Sequence, residues 1–240
     1  MLIFGIDTCC MAATAALVGD DTMLAQTVIN HKKTHSQKMM PQIEEMFRAA
    51  EISPPEVDAF AAAVGPGSFT GVRIGVATAK AMAQAADKPC IAVSTLEALA
   101  FASFCADGIA SPILDARRGQ VYNALFECGS APKRLCADRA LTIDELLCEL
   151  EKTEKNIYFM GDGVLAHRGI IEERLGSRAH FAPRVTRLNL GGSVAEIGLE
   201  KYRRGETVSY GDLIPQYVRL SQAEQDLQRK RALNTEGNNE

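Results

Sequence analysis

Two stretches of this chain repeat one another in outline though hardly in residue identity, and that repetition restricts the fold more than any single motif does. LIFGID near the N-terminus and SPILD at 111–115 are apolar runs that end in an aspartate. Each is followed by short β-type segments and then by alternating helical and extended segments. In the first stretch LIFGIDT, AATAALVGD and MLAQTVIN read as three strands of an antiparallel meander, with Gly19-Asp20-Asp21 as a tight turn. A helix is expected over 37–51, where Met39, Ile43, Met46 and Ala50, flanked by Met40 and Phe47, form a stripe at the 3.6-residue period. Ser36 suits its N-cap, and Pro41 is expected in or near the first turn, where a missing N–H does least harm. Strand AFAAAV, a glycine-rich turn, a helix over 70–86 and strand PCIAVS complete the order βββαβαβ. The second stretch offers SPILDARRG, a turn at 117–119, QVYNALFEC, helix TIDELLCELEK, strand NIYFMGDG, a helix near 164–175, strand AHFAP and helix GGSVAEIGLEKYRRG.

A βββαβα order met twice predicts an α/β chain of two duplicated lobes and excludes one continuous parallel sheet. The expected division is an N-terminal lobe over 1–108, a C-terminal lobe over 109–221 and a polar tail over 222–240 that ends in NTEGNNE and has the composition of a disordered segment. With 240 residues the chain has enough material for a core in each lobe. No run approaches 18 consecutive apolar residues, and MLIFGIDT lacks the basic region and cleavage site of a signal peptide, so a cytoplasmic protein without a membrane span is expected. Seven cysteines, with no C-x-x-C pair, fit a reducing compartment better than a disulfide framework, and adjacent Cys9 and Cys10 read as packed small residues. A formal net charge of -4 denies the chain a general basic footprint for nucleic acid. Any RNA contact is therefore expected to rest mainly on a partner.

Among candidate sites, the turn GPGSFTGVRIG at 65–75 stands between strand and helix, where backbone N–H groups and the helix dipole favour an anion. It lacks the Lys-Ser/Thr pair of a phosphate-binding loop, its glycines are spaced G-x-G-x-x-x-G, and Pro66 removes a donor. A structural turn built from Gly65, Pro66, Gly67, Ser68, Thr70 and Gly71, with Ser68 or Thr70 capping the helix, is the favoured reading over direct phosphate binding. His31 and His35 are four apart, but they precede the expected cap and have no third ligand, so no zinc site is expected there. Asp7 and Asp115 end the two first strands and are the best candidates to hold a metal-nucleotide between lobes; Asp7 capping a turn is the alternative. Arg117-Arg118 either binds an anion or solvates a hairpin tip. His167 and His180 have no recognisable local context, and no catalytic triad is apparent.

The segments GIDT, HSQKMMPQIEEM, GPGSFTGVRIG, DARRGQVYNALF and PQYVRLSQAE, in this order, resemble the TsaB (YeaZ) family of bacterial tRNA threonylcarbamoyladenosine biosynthesis proteins, over about residues 1–225. The resemblance implies a two-lobed actin/hexokinase/Hsp70-like ATPase (ASKHA) fold. It also implies a non-catalytic scaffold that pairs with TsaD, the subunit that transfers threonylcarbamoyl to N6 of the adenosine beside the anticodon in tRNAs reading A-starting codons. The ATPase TsaE would dock on that pair. TsaD carries a metal-binding H-x-x-x-H; aligning VSTLEALA on its glutamate puts Thr95 and Leu99 at those positions, and neither replaces imidazole. Metal and ATP would belong to TsaD and TsaE, with no cofactor required by this chain and tRNA met only within the complex. The implied partner surface is the helix pair 37–51 and 70–86, which would also face a second copy when TsaD is absent. Met39, Met40, Ile43, Met46 and Phe47 on the first helix, and Arg73, Val76, Ala79 and Ala83 on the second, are its expected residues; the alternative is that the methionine-rich stripe faces only the chain's own core, and one helix can do both in part. Gly75, Ala77 and Ala81 add small side chains that permit close helix approach. Asp7 and the Gly161-Asp162-Gly163 turn lie where this superfamily touches nucleotide, which keeps an alternative open: a weak ATP-binding enzyme, or a metallopeptidase-like protein, in its own right. Arg229-Lys230-Arg231 is the only dense basic cluster and lies near the tail.

Overall fold

The run Leu2–Asp7 (β1) is apolar at nearly every position, as a strand covered on both faces must be, and it occupies the centre of the first sheet. The computed structural model describes residues 1–30, 35–102, 107–129 and 131–219, with no side chains described at 35–37. His31, the expected tail and its basic cluster lie outside the described residues, as do the side chains of His35 and Ser36. Around β1 lie Ala13–Gly19 (β2), Met23–Ile29 (β3), Ala59–Ala63 (β4) and Cys90–Val93 (β5), in the order β3-β2-β1-β4-β5. β1 runs antiparallel to β2 and β2 to β3, whereas β1–β4 and β4–β5 are parallel.

Ile109–Asp115 (β6), Gln120–Asn123 (β7), Arg139–Thr142 (β10), Ile157–Met160 (β11) and Ala179–Phe181 (β12) build the second sheet in the order β10-β7-β6-β11-β12. Strand for strand this is the first order again, with the same two antiparallel and two parallel pairings. The fold is therefore the duplicated two-lobed ASKHA arrangement. Two short strands, Phe126–Glu127 (β8) and Lys133–Arg134 (β9), extend the second sheet from the start of β6.

QVYNALFEC, expected as one strand, is split into β7 and β8. Asn123 is fully buried and its Nδ2 donates to Ser111 Oγ, Pro112 O and Ala124 O, so the chain bends around a satisfied amide rather than continuing its ladder.

Among the described residues, six α-helices accompany the sheets: α1 (His35–Ala49), α2 (Phe69–Ala86), α3 (Thr95–Ala102), α4 (Ile143–Leu150), α5 (Gly163–Leu175) and α6 (Gly191–Arg203). α1 and α2 agree with the periodic signal, although Pro41 falls in the second turn of α1 and not the first. α3 has no sequence signature because it is buried nearly all round: Thr95, Leu96, Ala98, Leu99 and Ala100 are all inaccessible, so no polar face marks its period.

Side chains alternate across a strand, and β1 shows both faces in use. Phe4 points to α1, stacking on Phe47 at 5.8 Å and meeting Phe60 at 5.6 Å. Gly5 points the other way, where a Cβ would lie 2.5 Å from the Ala195 nitrogen of α6, so only glycine lets that helix seat on the sheet. α6 thus packs on the first sheet although it falls within 109–221 of the chain.

Beyond α6 the chain runs back as a strap over the first lobe. Val208 and Cys90 exchange backbone bonds, Lys80 Nζ donates to Gly211 O and Leu213 O at 3.1 Å, and Gln216 N donates to Val64 O at 2.7 Å. Arg219 then reaches the second lobe, its Nη1 donating to Gln120 Oε1 at 2.5 Å.

Cys128 is disulfide-bonded, a departure from the reading of the cysteines as reduced; pairing depends on approach across the fold, which spacing along the chain does not report. Cys9, Cys90, Cys136 and Cys148 carry free thiols. Among the described residues no helix is long and apolar enough to cross a membrane.

Candidate functional site

The glycine-rich turn lies against the loop that follows β1. Ser68 N donates to Cys9 O at 2.7 Å, Thr8 Oγ1 to Gly71 O at 2.6 Å, and Thr95 N to Gly65 O at 2.9 Å. Ser68 caps α2, its Oγ accepting from Gly71 N at 3.3 Å, while Val72 N turns back to Ser68 O. A Cβ at Gly71 would stand 2.0 Å from Thr8 O, so the glycine is required by close approach of two backbones. The N–H groups of Ser68, Gly71 and Val72, which a phosphate cradle needs, are thus engaged within the protein.

The two strand-end aspartates do the same local work. Asp7 Oδ1 accepts from Cys9 N at 2.7 Å, and Asp115 Oδ1 accepts from Arg117 N at 2.7 Å; each closes the turn two residues on. Asp162 links the second turn to α5, its Oδ1 accepting from Asp115 N at 3.0 Å. The environments differ. Asp115 is exposed, whereas Asp7 is fully buried and its Oδ2 has no hydrogen-bond partner. Burial pushes the Asp7 carboxyl up to about 6, against the stabilising N–H of Cys9, and the charge of Asp162 adds to the rise. Burial also holds the Asp162 carboxyl above its ordinary value, opposed by the Asp115 N–H. Among the described residues no group of three His, Cys, Asp or Glu side chains is arranged to hold a metal.

Between the lobes opens a cleft of about 850 Å³. Its walls come from Cys9–Met11, the N-terminal end of α2, the β6–β7 turn, the start of α5 and the end of the strap. The β6–β7 turn has an unusual backbone: Arg117 (φ 64°) and Arg118 (φ 54°) are both left-handed, followed by Gly119 (φ 73°). That conformation costs a non-glycine residue about 1–2 kcal/mol. Both arginines are exposed on the cleft wall, where no carboxylate pairs with either among the described residues. Across the cleft, Phe69 and Tyr217 stack at 5.0 Å, with Arg73 lying 3.9 Å over the Phe69 ring and its Nε donating to Tyr217 Oη at 2.9 Å. Phe69, Tyr217 and Arg219 were not singled out from sequence. PQYVRL carried a resemblance but no periodic signal, and only the strap brings it to the cleft.

The residues expected to face a partner are mostly turned inward. Met39, Ile43, Met46 and Phe47 of α1 and Val76, Ala79 and Ala83 of α2 are buried in the first lobe's own core. The apolar period marks the face a helix lays on its sheet, and that is the face these helices lay on β1–β4. Met40, 47% exposed, and Arg73 are the members of the set on the surface. The outer face of α2 shows Ala77, Ala81, Gln84 and Ala85; that of α1 shows Met40, Glu44, Glu45 and Arg48.

Thr95 and Leu99 lie one turn apart on α3, both fully buried, and Thr95 Oγ1 has no partner. His180 stacks on Tyr158 at 4.9 Å and bonds Asn156 at 3.2 Å, while His167 Nε2 is buried without a partner; neither borders the cleft.

Comparison with known proteins agrees with this architecture. The family model for TsaD, tRNA N6-adenosine threonylcarbamoyltransferase, matches residues 22–227. The tRNA threonylcarbamoyladenosine biosynthesis protein TsaB of Bacillus subtilis is 34% identical over 225 residues, covering 93% of this chain and 96% of that protein. The Escherichia coli protein of the same name is 36% identical over 129 residues, covering 53% of this chain and 55% of its own length. A crystal structure from Pseudomonas aeruginosa, described as an uncharacterized protein with similarity to peptidase YEAZ, superposes with a TM-score of 0.79 at 23% identity, covering 91% of this chain and 99% of that one, and so shares the fold.

Proposed function

The chain belongs to the TsaB family of tRNA threonylcarbamoyladenosine biosynthesis proteins, within the wider group matched by the TsaD model, and from that premise we propose that it is the non-catalytic scaffold of the modifying complex. It takes part in tRNA threonylcarbamoyladenosine biosynthesis. In this reading it pairs with TsaD, which carries the transfer chemistry, and the pair receives TsaE. Metal and ATP are held by those subunits, tRNA is met only in the assembly, and the setting is cytoplasmic. The observation that carries the reading is α3: where the resembling catalytic subunit has its two histidines, this chain has Thr95 and Leu99, sealed in the core with no ligand atom of imidazole type.

The partner surface is assigned to the outer faces of α1 and α2, since the inner faces are spent on the fold. On α2 the exposed Ala77, Ala81 and Ala85 let another helix approach closely; on α1 Met40 offers an adaptable apolar contact beside Glu44, Glu45 and Arg48. A second copy of the chain would use the same faces when TsaD is absent. The test is reconstitution with purified subunits and unmodified tRNA. The modified nucleoside should form when this chain joins TsaD, TsaE and threonylcarbamoyl-adenylate, and not with this chain alone. Turnover by this chain alone would overturn the scaffold reading in favour of an enzyme.

A further inference from the structure

We propose that the segment added between β7 and β10 is a latch, closed by Asp138 on Ser94, that fixes the angle between the two lobes. The starting observation is a break in the duplication. Residues 20–22 join β2 to β3 in the first lobe, whereas residues 124–138 join the corresponding strands β7 and β10 in the second and carry the short pair β8 and β9. The end of this added segment reaches the first lobe. Ser94 Oγ donates to Asp138 Oδ2 at 2.6 Å, and the same Oγ accepts from Glu97 N at 3.3 Å, as a cap of α3. The Asp138 carboxylate thus meets the positive end of a first-lobe helix through the residue that caps it.

The second lobe holds that carboxylate in place. Arg134 Nη1 donates to Asp138 Oδ1 at 2.6 Å and to Cys136 O at 3.3 Å, while its guanidinium lies 4.7 Å over the Phe126 ring. The charges continue across the joint, since Arg134 and Lys201 of α6 each stand 3.9 Å from Glu97, and Lys201 also donates to Ala92 O at 2.9 Å. With the Asp138 side chain only 15% exposed, water screens its bonds little. Elsewhere the joint is apolar: α3 lies on β6, and Leu96, Ala98, Leu99, Ala110 and Phe126 belong to one cluster. Such packing is non-directional, so it resists separation and permits small sliding of a helix over its neighbours. A charge-assisted hydrogen bond has one geometry, and the latch fixes what the packing leaves free. Beside it lies a cavity of about 430 Å³, lined by Pro66, Ser94, Arg134, Asp138, Gln216 and Tyr217, so its release meets no packed core.

The inference is independent of the scaffold reading and is tested on the isolated full chain by amide hydrogen exchange and small-angle scattering. Asp138→Ala removes the acceptor, and Asp138→Asn keeps its shape without the charge. In Asp138→Ala, exchange over residues 133–142 and the first turn of α3 should rise at least tenfold, with β1 and β4 unchanged. The radius of gyration should increase, which fraying confined to the added segment would not produce. Asp138→Asn should show the same changes at severalfold size, and it carries the test if the alanine variant does not fold. Lys155→Gln breaks the ion pair to Glu127 within the second lobe and should leave both measurements as in wild type. A folded Asp138 variant whose α3 exchange and scattering match wild type, or opening of the same size in Lys155→Gln, would overturn the proposal.

Discussion

The two lobes share one strand order and one use of the first-strand aspartate, yet they spend the turn after that aspartate in opposite ways. In the first lobe Asp7 is sealed, and Cys9 and Cys10 pack behind it. In the second, Asp115 is exposed and is followed by two bare arginines in a strained turn. The difference follows from what covers each sheet. The first sheet is enclosed by α1 and α2 on the Phe4 side and by α6 on the Gly5 side, with the strap sealing its edge, so Asp7, Thr8 and Cys9 are buried even though Cys9–Met11 border the cleft. The β6–β7 turn faces the cleft. Duplication fixed the topology, and cover decided the chemistry of each copy.

The strongest way to break this comparison is to charge the covered lobe. Ala79 is fully buried on the inner face of α2, so Ala79→Arg should destabilise on the order of 4 kcal/mol or more by stranding a guanidinium in the core. The melting temperature should fall by roughly 10 °C or more. Ala81→Arg, two residues on but on the outer face, should melt as wild type does. Equal melting of the two variants would mean that α2 does not lie on the sheet as described.

Asp7 sharpens the contrast next. Burial pushes its carboxyl up to about 6 from an ordinary aspartate value of 3.8, so the folded state holds the proton more tightly. Stability from this group is therefore lost as pH rises from about 4 through 6, by about 3 kcal/mol at most. Asp7→Asn should remove that loss and flatten denaturation midpoints between pH 4 and 7; an unchanged pH profile would show that Asp7 is already charged in the fold.

Smaller effects are expected in the turn and the caps. Arg117→Asn/Arg118→Gly should raise stability by about 1–2 kcal/mol through relief of left-handed strain, measured by urea unfolding. Thr142→Ala should lower it by about 1 kcal/mol, since Thr142 Oγ1 accepts from Glu145 N at 3.2 Å in a reciprocal cap of α4.

The sequence carried the periodic elements well and the cover poorly. β1 to β5, α1, α2 and α4 to α6 announce themselves by apolar period, turn residues and caps, and the repeat of that order was enough for the two-lobed fold. α3 was silent because a helix buried on all sides has no polar face. The resemblance put a partner on α1, with the chain's own core as the alternative for its stripe; a stripe reports burial without saying against what, and here it lies on the chain's own sheet. Phe69, Tyr217 and Arg219 converge only through a strap whose path depends on long-range bonds such as Gln216 to Val64. Arg117 and Arg118 were visible as a pair, but the backbone that sets them apart was not.

The division of labour between the lobes, with the outer helices of the first as the partner surface, is tested most directly by one reconstitution. Wild type, Ala81→Arg and Arg117→Asn/Arg118→Gly would each be mixed with TsaD, TsaE, threonylcarbamoyl-adenylate and tRNA, and the modified nucleoside quantified alongside pairing by analytical ultracentrifugation. Ala81→Arg should melt like wild type, fail to pair and yield no modified nucleoside, while the turn variant should still pair. Full modification with Ala81→Arg, or loss of pairing in the turn variant alone, would contradict the account.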